Sequence, residues 1–144
     1  MEPIERKLIH DWIATFLDQS AGEVGSIETK LMKCSDAHFR AADMEVVLAP
    51  FRGDLGGLIT FLQSKWGWII KHDRRHHIIE ADENKPNCVC PLYLESIVSS
   101  PLLCECSRGF AARMFAYVIE CEVQTEVIRS VIRDGQSCVY KVRY

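Results

Sequence analysis

The spacing of apolar residues changes at Gly67, and this change limits the fold classes open to the chain. Before Gly67, apolar residues recur at the spacing that is typical of amphipathic helices. After it, two β-rich runs at 68–71 and 77–81 flank a charged turn, which predicts a strand hairpin. We therefore predict an α+β fold in which N-terminal helices pack on a largely antiparallel, twisted sheet, with one further helix between strands.

Three helices are predicted before Gly67. The first begins near Pro3, which suits a first helical turn, and extends for about four turns. Ser26 and Asp54 are candidate N-caps of the second and third helices, because their short side chains accept hydrogen bonds from backbone amides. The stretch 41–50 fits either a weak helix or a loop.

Two elements are predicted in the C-terminal third of the chain. Ser107 is a candidate N-cap of a fourth helix, because an amphipathic stretch follows it. Strands at 123–133 and 138–144 are expected to form a hairpin around Asp134-Gly135, a dipeptide that favours tight turns. The C-terminal end of the chain is therefore predicted to complete the sheet.

The composition is that of a globular protein, and it excludes several classes. We expect residues 1–144 to form one domain, with a mainly helical part at 1–50 and a part with helix and sheet at 55–144. The net charge of −3 gives no basic footprint for nucleic acid, and no apolar run is long enough to predict a membrane span. Residues 1–11 are rich in charge and lack the apolar run of a secretory signal. The chain has seven cysteines, an odd number that does not suit a framework of paired disulfides. Together with the charged N-terminus, this favours a location in the reducing cytoplasm.

Four of the cysteines form two matched pairs, Cys88-Val-Cys90 and Cys104-Glu-Cys106. On an extended chain, residues i and i+2 point to the same face, so each pair would aim two sulfurs at one point. If the segment 92–103 folds back, four thiolates converge, as a tetrahedral zinc site requires. An iron–sulfur cluster would also accept them, although zinc sites usually have more residues between paired cysteines. The alternative is that the four thiols are buried as small apolar side chains.

An enzymatic alternative depends on the same stretch. Cys104 and Cys106 lie just before the predicted fourth helix, and a helix N-terminus lowers the pKa of a thiol. Either one would then be a nucleophile for hydrolysis or thiol exchange, with a histidine as base. The candidate bases, which are equally explained as solvated turn residues, are His72, His76 and His77. We prefer a binding function and assign no catalytic residue.

Four further side chains are candidates for a site. Trp66 and Trp68 are expected either to line a ligand cavity or to belong to the core. Arg108, at the predicted helix start, is expected either to meet an acidic ligand or to lie on the surface. Cys138 shares a strand face with alternating apolar residues, which favours a buried thiol over a metal ligand.

The order of motifs after Leu55 resembles that of a known family, the 4-vinyl-reductase-type small-molecule-binding domains. The Cys-x-Cys-Pro and Cys-x-Cys-Ser elements are most similar to an uncharacterised bacterial and archaeal branch of it. The resemblance spans residues 55–144, whereas residues 1–50 match only in being helical. The motifs, in order, are Trp66-Gly67-Trp68, a hairpin, the cysteine-rich stretch, Ser107-Arg-Gly109, and the run from Glu126 through Gly135 to Cys138.

The resemblance implies a helical part over a twisted antiparallel sheet, a buried ligand cavity and, often, a dimer. Some members, the aromatic-sensing regulators, carry a structural zinc bound by cysteines and a glutamate. A third cysteine of that set would fall near Ser130, and serine is a poor zinc ligand. Cys88 and Cys90 are then the candidates to complete the set. The other ligands would match Cys104 or Cys106, Glu126 and Cys138.

Together these observations predict a small-molecule-binding or sensing module with a cysteine-rich structural site that binds zinc. Its expected partners are an unidentified small molecule, a second copy of the chain and a separate output protein, but neither nucleic acid nor a membrane. A cysteine-dependent enzyme and a ligand-free assembly subunit are the alternatives. Because one fold hosts many functions, the resemblance supports a ligand site without naming the ligand.

Overall fold

The computed structural model describes residues 3–21, 26–90 and 103–144. It confirms the α+β class, with N-terminal helices on an antiparallel sheet and a long helix between strands. None of the described helices is long and apolar enough to cross a membrane. The elements, in chain order, are α1 (Pro3–Ala21), α2 (Ile27–Ala41), α3 (Met44–Leu48), a 3-10 turn (Ala49–Phe51), α4 (Leu55–Lys65), β1 (Ile69–Asp73), β2 (Ile78–Asp82), α5 (Leu103–Ile119), β3 (Gln124–Arg129), α6 (Val131–Asp134) and β4 (Val139–Arg143).

Helices α2 and α4, which correspond to the second and third predicted helices, begin where their capping residues predict. The Ser26 hydroxyl accepts a hydrogen bond from the Thr29 amide at 3.2 Å, and the Asp54 carboxylate accepts one from the Gly57 amide at 2.9 Å. Each bond satisfies an amide that the helix itself leaves unpaired. The ambiguous stretch 41–50 contains α3 and the start of the 3-10 turn, so it is helical for most of its length.

The four described strands form one antiparallel sheet in the order β1-β2-β4-β3. β1 and β2 form the predicted hairpin, and β2 also pairs with β4, where Ala81 lies opposite Tyr140. β3 pairs with β4 as predicted, and its register shifts between Val127 and Arg129. Among the described residues, β2 and β4 are therefore central strands, and β1 and β3 are edge strands.

The predicted strand 123–133 is too long. β3 ends at Arg129 because the next residue, Ser130, caps helix α6, and its hydroxyl accepts a hydrogen bond from the Arg133 amide at 3.0 Å. Gly135, with a φ of 69°, ends this helix in the left-handed region, where glycine carries no side-chain penalty. A short helix, rather than a tight hairpin turn, therefore carries the chain from β3 to β4.

The main core lies between α5 and one face of the sheet. Met114, Phe115 and Val118 of α5 pack with Ile79 and Val142 of the central strands, and all five are fully buried. Burying each such side chain stabilises the fold by roughly 1.5–3 kcal/mol relative to exposure. We call the sheet face that carries Ile79 and Val142 the inner face, and the opposite face the outer face.

The N-terminal helices reach the core through α2, which crosses α5 at Gly109. A Cβ atom at this position would lie 2.5 Å from the Met32 carbonyl oxygen and 2.7 Å from the Ser35 hydroxyl. Glycine is therefore required at the crossing, because a side chain would push the two helices apart. α1 in turn packs on α2 through Leu8, and Trp12 packs beside it.

Candidate functional site

A cavity of about 500 Å³ lies between the start of α5, the inner face of the sheet, and helices α2 and α3. Met44 from α3, with Leu103 and Phe110 from α5, gives it an apolar surface. Thiols and a few polar side chains interrupt this surface. Its volume is within the range of small-ligand pockets, which are mostly apolar with a few placed polar groups.

Trp66 and Trp68 form one wall of the cavity. Their ring centroids lie 5.6 Å apart, and both side chains also pack against the main core. Gly67 between them has a φ of 73°, so the chain turns between the two indoles. The Lys85 ammonium donates a hydrogen bond to the Trp66 carbonyl oxygen at 2.9 Å, which holds this turn against the segment after β2.

Cys104 and Cys106 do not point to one place. The prediction that Ser107 begins the helix is wrong, because α5 already begins at Leu103 and contains both cysteines. Residues i and i+2 of an α-helix are rotated by about 200° around its axis, so the same-face argument for an extended chain does not apply here. Cys104 lines the cavity, whereas Cys106 lies on the other side of α5.

Cys106 belongs to the contact between helices. Its sulfur accepts a hydrogen bond from the indole Nε1 of Trp12 at 3.2 Å, which links α5 to α1. The side chain is almost fully buried, and burial raises the pKa of this thiol to about 12. Cys106 is therefore a neutral packing thiol at physiological pH.

Four other thiols line the cavity, and we call them the thiol wall: Cys88, Cys90, Cys104 and Cys138. The Cys88 sulfur is hydrogen-bonded to the Cys90 amide, and the Cys138 sulfur accepts a hydrogen bond from the Val131 amide at 3.4 Å. Cys88, Cys104 and Cys138 are buried. The structure thus places Cys88, Cys104 and Cys138 near one another, whereas Cys90, which also lines the cavity, lies near Cys106.

The thiol wall is not arranged as a formed metal centre. Across 3–21, 26–90 and 103–144, no three or more His, Cys, Asp or Glu side chains are arranged to hold a metal ion. Burial, and then the neighbouring negative charge of Glu83, Cys104 and Cys88, raises the pKa of Cys138 to about 12. The predicted fold-back of 92–103 falls outside the described residues except at its last position. Zinc binding therefore stays a prediction.

The resemblance places a glutamate ligand at Glu126, and the structure corrects this position. Glu126 is exposed on an edge strand, where it lies opposite Lys141, and the side chain next along β3, Val127, is the one that packs inward with Tyr140. Glu126 therefore faces away from the cavity. Ser130, at the position of the missing third cysteine, does lie at the site, because its hydroxyl is hydrogen-bonded to the Cys104 thiol.

Besides Ser107, which was predicted only as a helix cap, four polar lining groups were not predicted from the sequence: His38, Glu83, Lys85 and Tyr140. Burial raises the pKa of Glu83 to about 7, although a hydrogen bond from Tyr140 opposes this shift. Burial also lowers the pKa of His38 to about 4 and raises that of Tyr140 well above its ordinary value. At neutral pH, His38 and Tyr140 are therefore uncharged hydrogen-bonding groups, Glu83 is close to the midpoint of its titration, and Lys85 supplies a cation.

Arg108 lies outside the cavity. Its guanidinium donates to the Glu105 carboxylate at 2.8 Å and to the Thr125 carbonyl oxygen at 3.1 Å, which joins α5 to β3.

The candidate bases are also remote from the thiols, since His72 pairs with the Tyr144 hydroxyl and His76 with Asp73 on the β1–β2 hairpin. Neither the predicted anion contact nor a thiol–histidine pair is present among these side chains.

The thiols lack the low pKa that the enzymatic alternative needs. Burial raises the pKa of Cys104 as well as that of Cys106, so the effect of the helix N-terminus is outweighed. A raised pKa keeps a thiol protonated near neutral pH, and the protonated thiol is a poor nucleophile. Cys104 and Cys106 are therefore both protonated near neutral pH.

Comparison with known proteins adds no assignment to this geometry. The chain matches no family model, no curated protein and no solved structure.

Proposed function

We propose that this chain is a small-molecule-binding module whose ligand occupies the cavity between α5 and the inner face of the sheet. The observation that carries the proposal is the cavity itself, with a volume of about 500 Å³ and mainly apolar walls. Apolar space of this size, left open by the described residues, forfeits packing contacts, and a ligand that fills it would restore them.

The lining groups define the kind of ligand. Trp66, Trp68 and Phe110 offer ring faces and edges, which favour a flat or branched apolar body. Tyr140 and His38 offer neutral hydrogen-bonding groups, so the ligand would carry a small polar group directed at them. A ligand with a net charge would be disfavoured unless it contacts Lys85, the one cation that we find in the lining.

We further propose that zinc binds at the thiol wall through Cys88, Cys104 and Cys138, with Glu83 as the carboxylate. All four side chains line the cavity, and zinc binding would require them to move closer together, because as described they are not arranged to hold an ion. Zinc would bind the thiolates and displace their protons. A bound ion would then tie the segment after β2 to α5 and β4, and ligand binding beside it would change a surface that a separate output protein reads.

The test of the ligand proposal is binding of the apolar dye Nile red, followed by its fluorescence. Ala111 is buried and lines the cavity, so Ala111→Phe fills part of the space. Ala112, the next residue of α5, is only partly buried and does not line it, so Ala112→Phe is the matched control. We expect saturable binding to the natural chain and to the control, and at least a tenfold loss in Ala111→Phe.

Ala42→Leu, a second substitution of a lining residue, guards against misfolding of the first variant. Circular dichroism establishes that each variant is folded. Equal dye affinity in the natural chain and in both folded cavity variants would refute the ligand proposal, and so would absence of binding to the natural chain.

A further inference from the structure

The outer face of the sheet carries a row of four charged side chains in register. Lys71 of β1 lies opposite Glu80 of β2, Glu80 lies opposite Lys141 of β4, and Lys141 lies opposite Glu126 of β3. The Lys71 ammonium and the Glu80 carboxylate are 3.9 Å apart. From edge to edge, the row therefore reads positive, negative, positive, negative.

A row of this kind is complementary to its own reversed copy. When a second copy of the row is reversed about the midpoint between β2 and β4, its β1 lies over β3 of the first copy and its β2 lies over β4. Every charged side chain then faces one of opposite sign on the other copy. Within one chain, opposite charges on neighbouring strands stabilise the sheet, and any alternating row serves that purpose. Self-complementarity requires in addition an even number of strands, which this sheet has among the described residues.

We propose that the outer face binds a second copy of the chain, with a two-fold axis that runs parallel to the strands between β2 and β4. This axis places Lys71 opposite the partner's Glu126, and Glu80 opposite the partner's Lys141. A two-fold axis perpendicular to the strands would instead place Lys71 against the partner's Lys71. The charges therefore select one of the two ways in which two sheets can stack face to face with aligned strands.

Exposed apolar side chains on the two edge strands would also meet across the proposed two-fold axis. Ile69 of β1 is 49% exposed, and Ile128 of β3 is 41% exposed. They lie at the same end of the sheet, because the row that begins at Ile69 ends at Arg129, the neighbour of Ile128. The proposed axis brings Ile69 over the partner's Ile128, so two apolar contacts would flank the charged row.

The described residues leave the outer face open for this contact. The clustered core side chains of the sheet and α5 lie on the inner face, and the buried Val139 is the exception on the outer face, where it lies between the ion-paired Asp82 and Arg129. Beside the outer face, the first two strands enclose a shallow concavity lined by the acidic side chains Asp73 and Glu80, by the basic side chains Lys71 and Arg74, and by His72 and Ile78. The proposed axis places the partner's Lys141 over Glu80 in this concavity, and the partner's Arg143 over Ile78.

The energetics of such an interface predict its salt dependence. Exposed ion pairs contribute about 0.2–1 kcal/mol each, so the charged row would set orientation and specificity more than affinity. Salt screens exposed charges over about 8–10 Å at ordinary ionic strength. Self-association is therefore expected at low salt and is expected to weaken as salt is added.

The test is sedimentation equilibrium of Lys71→Glu and Glu126→Lys, alone and mixed. In a dimer, residue 71 of each chain would face residue 126 of the other, and we call these two contacts the outer pairs. Each variant alone would place like charges at both outer pairs, so each is expected to be monomeric where the natural chain is dimeric. In an equimolar mixture, Glu at position 71 of one chain meets Lys at position 126 of the other, and the second outer pair is the natural one. The mixture is therefore expected to form a heterodimer.

Two exposed residues away from the outer face supply matched controls, since Lys65→Glu and Glu45→Lys change the net charge equally. Both are expected to remain dimeric. The proposal is overturned if the natural chain is monomeric at low salt, or if the mixed variants stay monomeric.

A measurement on the natural chain avoids any folding defect of a variant. Lys71 and Glu126 lie on strands three spacings apart, or about 14 Å, too far for a direct amide bond within one chain. Carbodiimide coupling followed by mass spectrometry of mixed isotope-labelled and unlabelled chains is expected to join Lys71 to the partner's Glu126. Recovery of dimers without this link would overturn the proposed axis. The outer face is opposite the cavity, so neither experiment depends on the ligand proposal.

Discussion

Cys104 and Cys106 are separated by one residue, yet they lie on opposite sides of α5. Cys104 lines the cavity, and Cys106 accepts a hydrogen bond from the Trp12 indole at 3.2 Å. The pair therefore divides its roles: one thiol is available to a ligand or an ion, and the other holds α1 against α5. A pattern that suggests four equivalent ligands thus contains one thiol whose role is packing.

This division predicts different losses in two serine variants. Cys104→Ser is expected to lose bound zinc with little change in the stability of the metal-free protein. Cys106→Ser is expected to retain zinc but to lower the free energy of unfolding by roughly 1–3 kcal/mol, because it replaces a large buried sulfur with a smaller and more polar hydroxyl. The measurements are elemental analysis of protein purified without a metal-affinity tag and urea unfolding after chelation.

Retention of zinc by Cys104→Ser, or its loss from Cys106→Ser, would reverse the assignment of the two thiols. A natural chain that contains no metal, and whose melting temperature does not respond to chelation, would remove the zinc proposal. The cavity proposal would stand in that case, because dye binding tests it separately.

Two glycine variants are expected to change stability in opposite directions. Gly109→Ala places a methyl group 2.5 Å from the Met32 carbonyl oxygen, so it is expected to destabilise the fold by roughly 1–3 kcal/mol. Gly56→Ala, at an exposed position of α4, places a methyl group no closer than 3.8 Å to a neighbouring atom and is expected to stabilise the fold by about 0.5–1 kcal/mol. Urea unfolding measures both. A neutral or stabilising Gly109→Ala would show that the α2–α5 crossing is looser than described.

Glu83 is expected to make stability fall as pH rises. Its pKa is 4.5 in the ordinary state and about 7 in the fold, so between these values the unfolded chain releases a proton that the folded chain keeps. The folded state therefore loses up to about 1.4 kcal/mol per pH unit over this window. His38 acts in the opposite direction, because its lowered pKa of about 4 removes stability as pH falls below 6.5.

The informative quantity is therefore the difference in the free energy of unfolding between the natural chain and Glu83→Gln. Urea unfolding measures it at a series of pH values from 4 to 8. Subtraction removes the contribution of His38, which both proteins share. The variant is expected to gain stability relative to the natural chain as pH rises from about 4.5 to 7, and the difference is expected to level off above that. A difference that is independent of pH would show that Glu83 is solvated.

Much of the fold follows from local sequence patterns, and the errors have identifiable causes. The capping residues Ser26 and Asp54, and the pairing of β1 with β2, are local features and were predicted correctly. The start of α5 was missed because cysteine was treated as a ligand. Counted as an apolar residue, Cys106 extends the helical period of α5 back to Leu103.

The site itself was less predictable, because its residues come from distant parts of the chain. Trp66 and Trp68 were correct candidates for a cavity wall, since aromatic pairs at element junctions are recognisable locally. Glu83 continues the inward alternation of Ile79 and Ala81, a signal that was available in the sequence. His38 lies on α2 and gives no such signal, because its place at the cavity is set by the packing of α2 on α5.

The most direct test of the central claim is residue-resolved alkylation of the cysteines with and without Nile red, read by mass spectrometry. The cavity account predicts that bound dye protects Cys88, Cys104 and Cys138, whose side chains line the space that the dye would fill. Cys121, which is exposed and lies outside the cavity, is the internal control and should react equally in both samples. Dye that binds without slowing alkylation of Cys88, Cys104 and Cys138 would contradict the account, because the ligand site would then lie elsewhere.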